Sequence, residues 1–177
     1  LYVGRLSAEK QIEHLRPVLE QVPGTRLAII GDGPSRAELE AHFAGTNTRF
    51  MGYIQGEDLS RAYASADMFV FPSALETFGL VVVEAMAAGL PVVSSRVGGV
   101  TDVVEEGVTG YTFDSGDIES LIAGVRQIAT SRERIQQMGE AARAFAETQT
   151  WPAMMDEVIE LYADLIEMKH GRQVLSA

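Results

Sequence analysis

Apolar residues along the chain fall in short blocks separated by stretches where apolar positions recur every three or four residues. Leu27-Ala28-Ile29-Ile30, Met68-Phe69-Val70-Phe71 and Pro91-Val92-Val93-Ser94 are such blocks, and Tyr111-Thr112-Phe113 is a weaker one. Their length, and their ending at Gly, Pro or Ser, is what buried strands require. Leu1-Tyr2-Val3-Gly4 already reads as a strand and the turn after it, and a further short strand precedes Gly52. Helical periodicity is predicted over residues 9–22, 35–43, 59–66 and 81–88. The alternation of strand and helix predicts an α/β fold, a Rossmann-like parallel sheet with helices on both faces. After Phe113 only helical pattern remains, over residues 117–130, 132–149 and 151–169. Thr150 stands at the N-cap position of the last helix and Pro152 in its first turn. The expected organisation is a sheet part of about 1–113, a helical tail of about 117–169, and a loose terminus at 171–177.

In an open parallel sheet, ligands bind outside the carboxyl ends of the strands. That singles out the loops at 4–10, 31–34, 52–54, 72–79 and 94–100. All are rich in Gly, Pro, Ser or charge.

Composition narrows the chemistry. Hydrophobic residues make up 46% of the 177, enough for a substantial core. Lys and Arg total 14 against 25 Asp and Glu, a net charge of −11. Such a surface repels nucleic acid and anionic headgroups at long range. A phosphate ligand would therefore need local cations and backbone N–H groups. There is no cysteine, which excludes disulfides and thiolate metal sites. His14, His42 and His170 are scattered without metal-binding spacing. No apolar run approaches the length of a membrane span. The strand at the very start suggests a piece of a longer protein.

Within the loops, Gly4-Arg5-Leu6-Ser7-Ala8-Glu9-Lys10 sets two cations between a strand and a helix start. That arrangement can grip a diphosphate, Arg by forking two oxygens and Lys as a point charge. It also fits two solvated surface cations. Gly31-Asp32-Gly33-Pro34 lacks the third glycine of a dinucleotide fingerprint and reads better as a tight turn, with Pro34 opening a helix. The aromatic of Gly52-Tyr53-Ile54 can stack on a base or simply pack.

The richest segment runs from Pro72 to Pro91. A strand ends at Phe71, a loop carries Glu76, and an almost wholly apolar helix begins near Gly79. Its uniform apolarity predicts burial on most sides. Glu84, its only charge, would then need a cation, backbone donors or ligand hydroxyls. Glu84 lies about 7.5 Å into the helix, while the open N–H groups around Phe78, Gly79 and Leu80 favour an anion. Two carboxylates flanking an anion site match the needs of a nucleotide sugar, whose hydroxyls lie at both ends and whose phosphates lie between. The other reading is a structural Glu84 and a surface Glu76. Gly98-Gly99 suits close approach of the backbone to a ligand, or equally a plain turn.

The succession G-R-L-x-x-E-K, G-D-G-P, E-T-F-G-L-V-V-V-E-A-M-A-A-G-L-P-V-V and G-G resembles the C-terminal domain of glycosyltransferase family 4. The resemblance spans about residues 1–167, and Glu76 and Glu84 have the family's E-x7-E spacing. Within the family, G-R-L-S-A-E-K, Y-A-S-A-D and the tail at Trp151 are most similar to the sulfolipid synthases (sulfoquinovosyltransferases). The resemblance implies the C-terminal half of a GT-B fold, in which 1–177 is a nucleotide-sugar donor-binding domain. The N-terminal acceptor domain would be absent. Arg5 and Lys10 would hold the leaving diphosphate, and Glu76 the hexose hydroxyls. Phe78, Gly79 and Leu80 would offer N–H groups to sugar and phosphate. Glu84 would hold the ribose, with Tyr53 and Ile54 flanking the base. A retaining hexosyl transfer from UDP-sugar without metal or other cofactor follows, and sulfoquinovose transfer to diacylglycerol is the specific case. The missing half would carry a lipid acceptor and any peripheral contact of a cytoplasmic enzyme with a membrane. A nucleotide-sugar epimerase half-domain and a non-catalytic nucleotide-sugar binding module are the alternatives. Gln11 departs from the glycine that many members carry after the lysine.

Overall fold

The structure is a computed structural model that describes residues 1–174. Six parallel strands form the centre: β1 (Tyr2–Val3), β2 (Leu27–Ile30), β3 (Thr48–Gly52), β4 (Phe69–Phe71), β5 (Val92–Ser95) and β6 (Gly110–Phe113). They hydrogen-bond in the orders β1-β2-β3 and β4-β5-β6. The two sets meet between β1 and β4, where Leu1 N donates to Met68 O and Val70 N donates to Leu1 O, each at 2.9 Å. Read across this seam, the strand order is 3-2-1-4-5-6. This is the doubly wound order, and β1 and β4 flank its topological switch point.

Every residue of β1, β4 and β5 is buried, as strands covered on both faces must be. By contrast, the edge strand β3 alternates between half-buried and exposed positions. The helices are α1 (Leu15–Gln21), α2 (Arg36–His42), α3 (Gly56–Ala64), α4 (Leu80–Ala87), α5 (Val100–Val103), α6 (Ile118–Ile128), α7 (Arg132–Thr148) and α8 (Trp151–Val174).

The predicted helix over 9–22 is broken. Short 3-10 turns occupy Ala8–Lys10 and Ile12–His14, and α1 begins only at Leu15. The break lies at Gln11, whose φ of 47° is left-handed. Pro17 fits only the first turn of a helix, because it has no N–H to donate and its ring crowds the preceding turn. The segment therefore enters the helix late. Pro34 does not open α2 either; it lies in a turn before the N-cap Ser35. The glycines of this turn serve backbone packing. A Cβ on Gly31 would sit 1.9 Å from Gly4 O, and one on Gly33 2.3 Å from Leu6 O.

The chain divides into two compact units, Leu1–Ala146 and Glu147–Ala177. The sheet and most of the predicted tail share the first unit, because Leu121, Ile122, Val125 and Ile128 of α6 and Met138 and Ala142 of α7 join its core. Asp117 caps α6, accepting from Ser120 N at 3.1 Å. In the second unit, α8 continues through residues 171–174, so helix replaces the expected loose terminus there. The remaining residues of that expectation, 175–177, lie outside the described residues. No helix among the described residues is long and apolar enough to cross a membrane.

Candidate functional site

All six strands are parallel, so the loops after β1, β3, β4 and β5 share one edge of the sheet. The β1 and β4 loops are tied together at the switch point. Ala74 N donates to Glu9 O at 2.8 Å. Ser73 is fully buried and its hydroxyl donates to Leu75 O at 2.8 Å. The Ser95 hydroxyl, at the end of β5, donates to Ser73 O. These contacts hold the loop carrying Glu76 from below.

At this seam Lys10 and Glu76 form an ion pair, Nζ to Oε2 at 3.0 Å, with side-chain exposures of 16% and 18%. Lys10 also donates to Leu75 O at 3.4 Å and sits 5.3 Å from the ring centroid of Phe71. Glu76 Oε1 accepts from Thr77 N at 3.0 Å. Partial burial pushes the Glu76 carboxyl up, but the Lys10 ammonium and the N–H groups of Thr77 and Gly79 outweigh it. Its pKa lies below the ordinary value.

At the start of α4, Glu76 thus takes the Gly79 N–H, and Lys10 neutralises Glu76. A helix start attracts the nearest carboxylate of its own chain as readily as a ligand. Gly79 turns the chain into α4 with a left-handed φ of 80°. Arg5 is exposed and forms no ion pair among the described residues, and its charge helps hold the Glu9 carboxyl below its ordinary pKa.

Glu84 departs from expectation. The helix α4 buries only Val82, Ala85 and Met86, and Glu84 is exposed. Leu80, 59% exposed, lies on the same open side as Glu84, one turn earlier. An apolar sequence without period hides which stripe meets the sheet; packing chose one stripe and left the other open. Glu84 Oε2 accepts from the Tyr63 hydroxyl at 3.0 Å. Tyr63, on α3, is 5% exposed and its ring lies 6.1 Å from that of Phe69. Sequence reasoning missed Tyr63, because nothing in the chain pattern links it to a residue on another helix.

Phe78 is 37% exposed beside Leu80. Tyr53 and Ile54 stand at the end of β3; Tyr53 is open to solvent, its hydroxyl 3.3 Å from Gln55 Oε1, and Ile54 is half-buried. Since α3 starts just beyond this loop and Tyr63 near its end reaches Glu84, the helix bridges the β3 loop and α4. The Gly98-Gly99 pair makes the close approach, but to the chain itself: a Cβ on Gly98 would sit 2.0 Å from Glu76 O, and Gly99 N donates to Thr77 O at 2.8 Å. Among the described residues no cluster of His, Cys, Asp and Glu could hold a metal ion.

The doubly wound sheet, with a carboxylate and a lysine paired at its switch point, defines a Rossmann-like domain, and solved structures match it to the Rossmann-like half of GT-B proteins. Residues 1–145 match the family model described as glycosyl transferases group 1, and the chain belongs to that family. It is 44% identical over 161 residues to Sulfoquinovosyl transferase SQD2 of Arabidopsis thaliana, covering 89% of this chain and 32% of that protein. A GDP-mannose-dependent alpha-mannosyltransferase of Corynebacterium glutamicum is 34% identical over 167 residues, covering 94% of this chain and 40% of that one. Among solved structures, Anabaena HepE in complex with UDP superposes with a TM-score of 0.79 at 26% identity, covering 92% of this chain and 48% of HepE. The chain thus spans about a third to a half of the length of these relatives.

Proposed function

We propose that this chain is the donor-binding half of a retaining glycosyltransferase that takes a hexose-type sugar from UDP. Sulfoquinovose, transferred to diacylglycerol, is the specific case. The observation that carries the reading is the convergence of Lys10, Glu76 and the start of α4 at the switch point, with Arg5 in the same loop as Lys10. In this reading the donor enters along the open side of α4. Its diphosphate meets Arg5 and shares Lys10, whose ammonium has three donors for two protein acceptors. Phe78, Gly79 and Leu80 line the path with backbone N–H groups. Glu76 receives hexose hydroxyls, Glu84 the ribose, and the β3 loop with Tyr53 and Ile54 the base.

As the sugar–phosphate bond breaks, negative charge builds on the departing diphosphate. Arg5 and Lys10 are already in place to neutralise it, so little reorganisation is needed. Cations then supply what a metal would, and the reaction needs none. An N-terminal half, which this sequence does not include, would hold the acceptor and close the cleft. Membrane contact with a lipid acceptor would belong to that half, because the charge of −11 repels anionic headgroups.

The UDP complex of HepE and the similarity to a sulfoquinovosyl transferase support the donor class. The relative named for GDP-mannose makes the base the first variable to test. The experiment is calorimetric titration of the full-length protein with UDP, GDP and ADP, followed by turnover with UDP-sugars including UDP-sulfoquinovose. Tightest binding of UDP, lost in Arg5→Ala, and turnover with a UDP-hexose are expected. Equal binding of all three nucleotides, or full UDP affinity in both Arg5→Ala and Glu84→Ala, would overturn the assignment. Transfer by residues 1–177 alone would refute the half-site reading.

A further inference from the structure

We propose that Tyr63 is a positioning residue: its hydroxyl holds Glu84 Oε2 so that Oε1 is presented to the ribose diol of the donor. This rests on the reading of Glu84 as the ribose acceptor. Glu84 is exposed on α4 and forms no ion pair among the described residues, so on its own the carboxylate would sample several rotamers. The single hydrogen bond from Tyr63, at 3.0 Å, selects one of them.

Tyr63 can do this because its ring is buried and packed among other aromatics. Its ring packs against Phe69, Phe69 stacks on Phe71 with centroids 6.1 Å apart, and Phe71 stacks on Tyr2 at 6.0 Å. Lys10 rests over Phe71, the third ring of this row. One rigid aromatic stripe thus supports both the diphosphate lysine and the ribose carboxylate.

The chemistry of the partner matters as much as its place. Glu76 is paired with an ammonium, which diverts its negative charge. Glu84 is paired with a neutral phenol, which takes one lone pair and leaves the charge available. A carboxylate so held keeps about three of its four acceptor positions, enough for two hydroxyls. Burial and the nearby Glu84 charge raise the phenol's pKa, so Tyr63 stays a donor throughout the neutral range. With 5% exposure, Tyr63 is also too deep to serve as a ligand contact in its own right.

The test uses the full-length protein and three probes: UDP, 2′-deoxy-UDP and 3′-deoxy-UDP. Affinities are measured on wild type, Tyr63→Phe and Glu84→Gln. Wild type should prefer UDP over the deoxy analogues by about tenfold or more, the range of a hydrogen bond to a charged group. Tyr63→Phe keeps the ring and should reduce that preference to about threefold, with the donor KM raised and kcat nearly unchanged. The preference is a ratio on one protein sample, so it remains readable if the variant is less stable. A preference reduced in Glu84→Gln but intact in Tyr63→Phe would overturn this inference and leave the ribose reading standing. A preference intact in Glu84→Gln, or absent from wild type, would overturn the ribose reading and this inference with it.

Discussion

The Lys10–Glu76 pair makes the sharpest test of the fold at the switch point. At 3.0 Å, two unit charges attract by about 1.4 kcal/mol in water and about 5.5 kcal/mol at an effective dielectric of 20. Side-chain exposures of 16% and 18% place the pair between a surface bridge and a buried one. Surface pairs contribute about 0–1 kcal/mol, and breaking a buried pair costs about 3–5 kcal/mol. A coupling of about 1–2 kcal/mol is therefore expected in a cycle of wild type, Lys10→Met, Glu76→Gln and the double variant, read by urea unfolding near pH 7.

The sign of the pH dependence follows from Glu76. Its folded pKa lies below the ordinary value, because Lys10 and the Thr77 and Gly79 N–H groups outweigh partial burial. The stabilisation is complete above the unfolded carboxylate pKa of about 4.3 and is lost as the pH falls through the lower folded value. Lys10→Met should therefore cost most near neutrality and little at about pH 2, well below the unfolded pKa. A coupling below about 0.3 kcal/mol near pH 7, less than most exposed pairs give, would refute the reasoning. An equal coupling at both pH values would do the same.

Gln11 is left-handed and its Oε1 accepts from Ser115 Oγ at 2.9 Å. In thermal melts Gln11→Gly should stay within about 1 kcal/mol of wild type, because relief of backbone strain offsets the lost bond and the added unfolded-state freedom. Gln11→Val should lose about 1–2 kcal/mol, since a branched Cβ suits that conformation worst. Gly98→Ala would put a methyl 2.0 Å from Glu76 O at a φ of +52°, and should cost about 2–4 kcal/mol in denaturation together with a clear loss of nucleotide affinity. Gly139→Ala lies inside α7, where alanine would be worth about 1 kcal/mol by helix propensity. Its Cβ would meet Gly89 O at 2.1 Å, so net destabilisation by urea unfolding is the expected result; stabilisation would show that α7 shifts freely over the loop before β5.

Much of this protein was legible in one dimension. Buried strands such as Phe69-Val70-Phe71 and Val92-Val93 announce themselves, because a strand covered on both faces must be apolar at consecutive positions. Parallel order and alternation then place the ligand loops at one edge without any coordinates. The E-x7-E spacing of Glu76 and Glu84 is local, spanning one turn and one helix, and so it too is a property of the sequence.

What the chain pattern left open depends on contacts between residues far apart in sequence. The pairing of Lys10 with Glu76 bridges 66 positions and that of Tyr63 with Glu84 bridges 21, and periodicity carries no signal at either separation. The uniform apolarity of α4 is equally silent about which stripe is covered, and only its docking on the sheet made Glu84 an exposed residue. Gly98 and Gly99 read equally as ligand space or a plain turn until the Glu76 loop is seen lying against them. The sequence by itself determined most of the strands and helices and the sheet edge at which the candidate loops gather. The tertiary structure decided which charges neutralise one another and which remain free to meet a ligand, because electrostatic and hydrogen-bond partners are chosen by distance in space.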